Sequence, residues 1–402
     1  MRFPSILSYK NLAPVAAAFA VAVSAQAGET APEIETVTST DSDLSLYDRI
    51  WALPVLYKND NNPVLQEFAL QGRMHIQYAT GDSDQGEFST GDTPDARNWG
   101  DFEVRRWRLG FKSKWFNVFK LEGQININPE VNPFYGNLYD LYLQYSPMDQ
   151  FSLGVGKTKV KFTKEQEISS KEILTIERSL LSNQLFPGEL TGAWVGGKDV
   201  FGKWFYEFGV YADDIQREFS EFRDGAVILG KLGYDFSEAT GLESAALSLH
   251  YMNNTEPSSQ YGSRPYEHNF SLTSDFSQGR WGFTSDFTYA TGDGAVPDVW
   301  GVSLIPSVYL FDGLQLVARY QFASADGNDG LRVQSRYERL APTLTDGGRG
   351  DEYQAGYVGL NYYLYGHKLK LMTGVEYASM NGEADGGDYD GWTWFTGVRM
   401  FF

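Results

Sequence analysis

Four histidines, His75, His250, His268 and His367, and no cysteine bound the bond-making chemistry open to this chain. Ser248 and His250 share one face of an alternating stretch and Asp275 lies on the same face of the next, so a serine–histidine–aspartate relay can be drawn. No nucleophile elbow or oxyanion-donor motif accompanies it, and serine two residues from histidine is a common accident of strand sequence. No HExxH motif and no histidine cluster offers a metal site, and without cysteine there is neither a thiolate zinc site nor a disulfide framework. What the chain does carry is charge at regular spacing. Arg106, Arg108 and Lys112 alternate along one stretch and Lys120 sits on the next; Arg73 and Arg319 hold matching places elsewhere. Lys157, Lys159 and Lys161 follow at intervals of two before a long loop that holds Lys171 and Arg178. Cations gathered around a water-filled passage select anions, whereas solvated strand-end charges do little; the Lys157–Lys161 triplet admits both readings.

Strands must position these residues. Phe119, Leu121, Gly123, Ile125 and Ile127 alternate with Lys120, Glu122, Gln124 and Asn126, and the same period of two recurs from about residue 67 to the end. It predicts strands at about 67–79, 102–113, 117–127, 137–146, 151–161, 190–198, 203–213, 225–236, 243–253, 266–277, 280–291, 299–311, 314–324, 352–365, 368–379 and 392–402. That is sixteen, an even number, and most have the length of about 9 to 11 residues that a tilted transmembrane strand needs. Every second connection is tight, such as Asp312-Gly313 and Gly366-His367, while the others are longer and mostly Asp/Gly-rich. A soluble sandwich has no reason to sort its loops so. The pattern predicts an all-β, antiparallel up-and-down transmembrane barrel with both chain ends periplasmic and a lumen too wide for side chains to fill.

The N-terminus agrees with export. Arg2 and Lys10 precede an apolar run from Leu12 to Val23 that ends in Ala25-Gln26-Ala27, so residues 1–27 read as a cleaved signal peptide. Residues 28–66, with Pro32, Pro54 and Pro63, read as an irregular acidic periplasmic extension with a short helix near Ser45–Trp51; residues 67–402 form the barrel. The formal charge is -19 and becomes -21 without Arg2 and Lys10, which argues against a nucleic-acid partner because phosphate contact needs a positive face.

Three runs carry a family resemblance: Arg105-Arg106-Trp107-Arg108-Leu109-Gly110-Phe111-Lys112, Leu153-Gly154-Val155-Gly156-Lys157-Thr158-Lys159, and Ser169-Ser170-Lys171-Glu172-Ile173-Leu174-Thr175-Ile176-Glu177-Arg178-Ser179. In order and spacing they resemble the phosphate-selective porin O and P family, best over about 104–212 and more weakly from 352 to 402. The resemblance implies a homotrimer of sixteen-stranded channels in the bacterial outer membrane, each narrowed by an inward-folded third external loop. It implies that the lysine ending the preceding strand and the basic residue of the Ser-Ser-basic motif, Lys159 and Lys171 here, take part in an anion site. The strand count independently makes 162–189 the third long loop and the longest connection, with Lys171–Leu181 as a possible helix. Val160-Lys161-Phe162 departs from the proline-containing turn of the family.

Parity places Arg73, Arg106, Arg108, Lys112, Lys120, Lys159, Lys231, Arg319, Lys370 and Arg399 inward, against Glu122, Asp140, Glu207, Asp235, Glu267, Asp275, Asp286 and Glu376. So even a balance predicts a weak overall field. The expected function is passive diffusion of small hydrophilic solutes, with inorganic anions such as phosphate preferred. The alternatives are a non-selective or weakly cation-preferring general diffusion channel and, further off, a barrel hydrolase. No cofactor is implied. The acidic first and last loops, with Asp82, Asp84, Asp388 and Asp390 among others, suit solvation or cation bridging to lipopolysaccharide better than an EF-hand. Phe402, at the end of an alternating aromatic strand, resembles the signal read by the barrel-assembly machinery.

Overall fold

The computed structural model describes residues 45–84, 102–215, 218–259, 264–293, 296–334, 336–341, 348–382 and 388–402. The expected signal peptide and much of the acidic first and last loops lie outside them. Sixteen long strands run β1 Leu65–Ser83, β2 Phe102–Trp115, β3 Phe119–Ile127, β4 Tyr135–Met148, β5 Phe151–Lys159, β6 Glu189–Val200, β7 Trp204–Ala212 and β8 Ala226–Asp235, then β9 Ser244–Asn254, β10 Tyr266–Gln278, β11 Trp281–Gly292, β12 Val299–Phe311, β13 Leu314–Ala325, β14 Glu352–Tyr365, β15 Leu369–Asn381 and β16 Tyr389–Phe401. Each pairs antiparallel with its sequence neighbours. The ladder closes where β16 meets β1, from Gly391 opposite Ser83 to Phe401 opposite Arg73. A closed ladder gives every strand two partners, which the hydrocarbon core demands because it offers backbone groups none of its own.

The two faces are inverted relative to a water-soluble barrel. Val155, Leu249 and Leu272 are 55%, 53% and 50% exposed, while Lys370, Arg399 and His250 are 0% exposed. Apolar side chains therefore face outward to lipid and the polar set faces in. Tight turns make the closure possible at one end. At Phe116 and Asn117 φ is +52° and +62°, the two-residue geometry that matches strand twist, and the Asn117 amide is held by Gln66 Oε1 at 2.8 Å. Gly110 is required by close approach, since a Cβ there would stand 2.1 Å from the Gly123 carbonyl oxygen.

Within the N-terminal extension the short helix expected near Ser45–Trp51 is formed. Ser45 caps helix α1, Leu46–Ala52, in a reciprocal box with Asp48. Trp51 Nε1 donates to the Phe401 carbonyl at 2.6 Å and Tyr47 stacks on Tyr365 at 5.5 Å, so α1 is tied to the ends of β16 and β14. Val55–Lys58 then pairs with β1 from Ala69 to Glu67, on the side where β16 has run out. That pairing gives the low end of β1 a partner on the β16 side.

Candidate functional site

Between Lys159 and Glu189 the chain forms two short helices, α2 Lys164–Glu167 and α3 Leu180–Gln184, instead of a helix over 171–181. The reason lies in the wall around it. The carbonyls of Ile173, Leu174, Ile176 and Glu177 accept from Lys370 at 2.6 Å, Asn361 at 2.9 Å, Arg399 at 3.2 Å and Arg319 at 2.6 Å. Those donors come from β15, β14, β16 and β13, and they take carbonyl oxygens that an α-helix would have used internally.

The rest of the segment is held the same way. The backbone N–H groups of Lys164 and Glu165 donate to Asp286 at 2.8 and 3.2 Å, and Leu180 N donates to Gln321 at 2.7 Å. Lys164 pairs with Asp275 at 2.6 Å, Glu167 with Lys231 at 3.0 Å and Glu177 with Arg105 at 2.7 Å. Arg319 joins Glu376 at 2.6 Å. Val160, Phe162, Ile176, Leu180, Leu181 and Leu185 fill the space beneath as a buried apolar cluster. A polar loop pinned by charge-assisted bonds from so many strands is expensive to displace, since each buried donor left unmet costs about 1–3 kcal/mol.

His250 belongs to this scaffold. Its Nδ1 donates to the Phe162 carbonyl and its Nε2 lies 2.9 Å from Ser248 Oγ, while Asp275 is bound to Lys164. The relay drawn from sequence is not assembled.

Beside the loop lies a cavity of about 390 Å³. Eight cations line it, namely Arg73, Arg105, Arg106, Arg108, Lys159, Lys161, Lys171 and Arg178, against the four acids Glu122, Asp140, Glu167 and Glu189. Thus Lys159, Lys161, Lys171 and Arg178 are brought together with Arg73, Arg106 and Arg108. Lys159 Nζ donates to the Gln166 carbonyl and sits 5.7 Å from the Phe186 ring. Arg73 bonds Ser170 Oγ of the Ser-Ser-Lys run, and Lys171 Nζ lies 4.9 Å from the Phe401 ring. Arg108 lies 3.3 Å above the Tyr139 ring and bonds Asn126 at 2.8 Å. Among the described residues the buried Nη1 atoms of Arg106 and Arg108 and Nε of Arg73 have no hydrogen-bond partner, so donors remain available at the cavity wall.

Two expectations need correction, Lys157 and Glu267. Lys157 pairs across to Leu141 and Thr191 and continues the outward side of Leu153 and Val155, 43% and 55% exposed; its Nζ donates to the Glu218 carbonyl at 2.6 Å, away from the cavity. Lys112, opposite Glu122, and Lys120, bonded to Tyr142 Oη at 3.0 Å, share the face of the cavity-lining residues but stand outside its lining, half-exposed, with Lys112 paired to Glu67 at 2.8 Å. Arg319 is spent on holding the loop. Glu267 is exposed because a register shift between Tyr266 and His268 reverses the parity.

Arg105 is the residue that alternation missed. Opposite His75 and Ile76 stand Arg106 and Val104, so Arg105 is an inserted residue that the β1–β2 ladder skips. A bulge of this kind lets two successive side chains face the same way, and both Arg105 and Arg106 reach the cavity. The adjacent arginine pair was the only sign in the sequence.

Residues 68–226 match the model of the phosphate-selective porin O and P family. The barrel is that of the outer-membrane porins. Salmonella typhi OmpF, solved with daunomycin, aligns with a TM-score of 0.55 at 11% identity, over 87% of this chain and 100% of that one. Pseudomonas putida OprB aligns at 0.53 and 9% identity over 83% and 94%, and the outer membrane channel DcaP of Acinetobacter baumannii at 0.50 and 11% over 86% and 99%. No curated protein matches the chain. The barrel therefore resides in the bacterial outer membrane, with the family match lying over β1 to β7, the strands that carry the cationic cavity and the loop beside it.

Proposed function

We propose that this porin forms a water-filled channel through which small hydrophilic solutes diffuse, and that 160–188 is its constriction, where anions such as phosphate pass in preference to cations. The observation that carries the proposal is the lining of the 390 Å³ cavity, eight cations against four acids. The near balance counted from sequence is an average over the barrel. Asp275, Asp286 and Glu376 are spent on Lys164, on backbone N–H groups and on Arg319, whereas Arg73, Arg106 and Arg108 of β1 and β2 line the cavity together with Lys159 and Lys171. In a low-dielectric wall such an excess focuses an anion-attracting field.

Lys159 and Lys171 serve as the anion contacts of the strand end and the loop, and Arg178, bound to the Ile168 carbonyl at 2.9 Å, fixes the loop that presents them. Three protomers assemble in the membrane, and Phe402, whose backbone exchanges bonds of 3.0 and 3.1 Å with Gly72, ends the assembly signal. Incorporation into a planar bilayer tests the channel, because a hydrolase or anchor has no need to conduct. Replacing 169–174 by a short glycine-serine link should raise single-channel conductance; an unchanged value would put the narrowest point elsewhere.

A further inference from the structure

Helix α1 has two unlike faces. On one, Tyr47 stacks on Tyr365 with ring centroids 5.5 Å apart, Trp51 meets the same ring at 5.1 Å, and Tyr365 Oη donates to Asp48. On the other, Leu46, Ile50 and Leu53 are 69%, 46% and 75% exposed. Their spacing of four and three sets them in one stripe, because Leu53 at the C-cap keeps helical φ and ψ of -55° and -37°. A helix of seven residues does not hold itself together in water, so α1 depends on what its sides touch.

The strand register says on which side of the wall α1 lies. A shift between Tyr363 and Tyr365 puts Tyr365 opposite Leu369, and Leu369 stands opposite Met400. Leu369 and Met400 alternate with Lys370 and Arg399, which are fully buried inside the barrel, so Tyr365 shares the outward face with them. Helix α1 is therefore docked on the lipid-facing side, at the rim of tight turns. Tyr362 and Leu371, directly opposite one another, and Val398 are exposed on that same face just above it. The stripe on α1 thus continues an apolar belt that the membrane already covers. Two cations flank it: Arg49 is exposed beside the stripe, and Lys368 Nζ stands 5.1 Å from the Tyr365 ring. The neighbouring acid, Asp48, is engaged by Ser45 Oγ at 2.6 Å and by Tyr365. An apolar stripe edged by long cationic side chains suits the boundary between acyl chains and headgroup phosphates.

We propose that Leu46, Ile50 and Leu53 insert among the acyl chains of the periplasmic leaflet while Arg49 and Lys368 reach its headgroup phosphates, which makes α1 a lipid anchor for the chain that enters β1. The proposal rests on the place of the barrel in the outer membrane and not on which ions it passes. The chain has no cysteine, so a single introduced cysteine carries one nitroxide label with no other substitution. Leu46→Cys, Ile50→Cys and Leu53→Cys, each labelled and placed in nanodiscs of phosphatidylethanolamine and phosphatidylglycerol, are compared for collision with oxygen, which enters lipid, and with a water-soluble nickel chelate. Val398→Cys in the belt and Asp60→Cys in the exposed turn after Val55–Lys58 set the lipid and water limits. The oxygen-to-nickel ratio at all three positions should match that of Val398→Cys and stand severalfold above that of Asp60→Cys. Ratios equal to that of Asp60→Cys would put the stripe in water and overturn the anchor. Poor collision with both reagents would mean that a second copy or the chain before residue 45 covers α1, and would overturn it equally. In the same nanodiscs Leu46→Ser/Ile50→Ser/Leu53→Ser should be cut by trypsin after Arg49 severalfold faster than the unmodified chain, with the barrel still heat-modifiable; equal rates would refute the anchoring role.

Discussion

Replacing Arg106 by glutamine removes one unit of charge from the inner cavity while keeping a polar side chain of similar reach. A cavity of 390 Å³ has the volume of a sphere about 4.5 Å in radius. A lining guanidinium then stands about 6 Å from an ion at the centre, an interaction of about 0.7 kcal/mol in water and about 2.8 kcal/mol at an effective dielectric of 20. Taking the lower figure and screening over about 10 Å at 0.1 M salt leaves about 0.4 kcal/mol. An anion loses that amount and a cation gains it, so the ratio of the two permeabilities should fall about fourfold, and about tenfold at low salt where ionic screening is absent. The assay is the zero-current potential of the variant in a KCl gradient, set against Lys58→Gln, whose charge lies in the N-terminal segment beside β1. If both variants move the potential equally, Arg106 does not stand at the narrowest point and the cavity does not set selectivity.

The Lys171 ammonium is pushed down to about 8 by burial and by Arg73, so it is charged below that pH and neutral above. Anion preference should fall as pH rises through about 8, and the step should vanish in Lys171→Gln when the potential is measured from pH 6 to 10. Asp286→Ala strips the acceptor from the Lys164 and Glu165 amides, leaving two unmet donors at about 1–3 kcal/mol each. The loop should loosen, seen as larger open-channel current noise with the barrel still heat-modifiable in gels. Deleting Phe402 should lower the yield of folded barrel in outer-membrane fractions, while Phe402→Tyr, which keeps an aromatic end, should restore most of it.

Much of the barrel was legible because its physics is local. A strand facing lipid on one side and water on the other must alternate, and tight turns such as Asp312-Gly313 mark where the chain reverses, Gly313 standing at φ +81°. The cavity was legible in part. Lys159, Lys171 and Arg178 stood out as charges around a long loop, and Arg73, Arg106 and Arg108 followed from parity. Parity fails where one residue is inserted or a register shifts, which moved Arg105 to the cavity and Glu267 to the surface. Lys157 failed differently, because a lysine on an outward face is tolerated only when a later loop covers it, and Glu218 is 61 residues away.

The loop between β13 and β14 was the larger omission. Tyr337 Oη donates to Glu103 at 2.6 Å, Arg336 pairs with Glu103 at 2.8 Å, and Leu331 and Val333 are fully buried, so this loop packs against the barrel wall as the third one does. Its partners lie more than 230 residues earlier in the chain. No local pattern announces such a contact, and only closure of the sheet between β16 and β1 brings them together.

The zero-current potential of the unmodified porin in a KCl gradient tests the central claim most directly. A lining of eight cations against four acids at the constriction predicts a potential on the chloride side of zero, growing as salt is lowered and the Debye length lengthens. A potential on the potassium side at every salt concentration would contradict it.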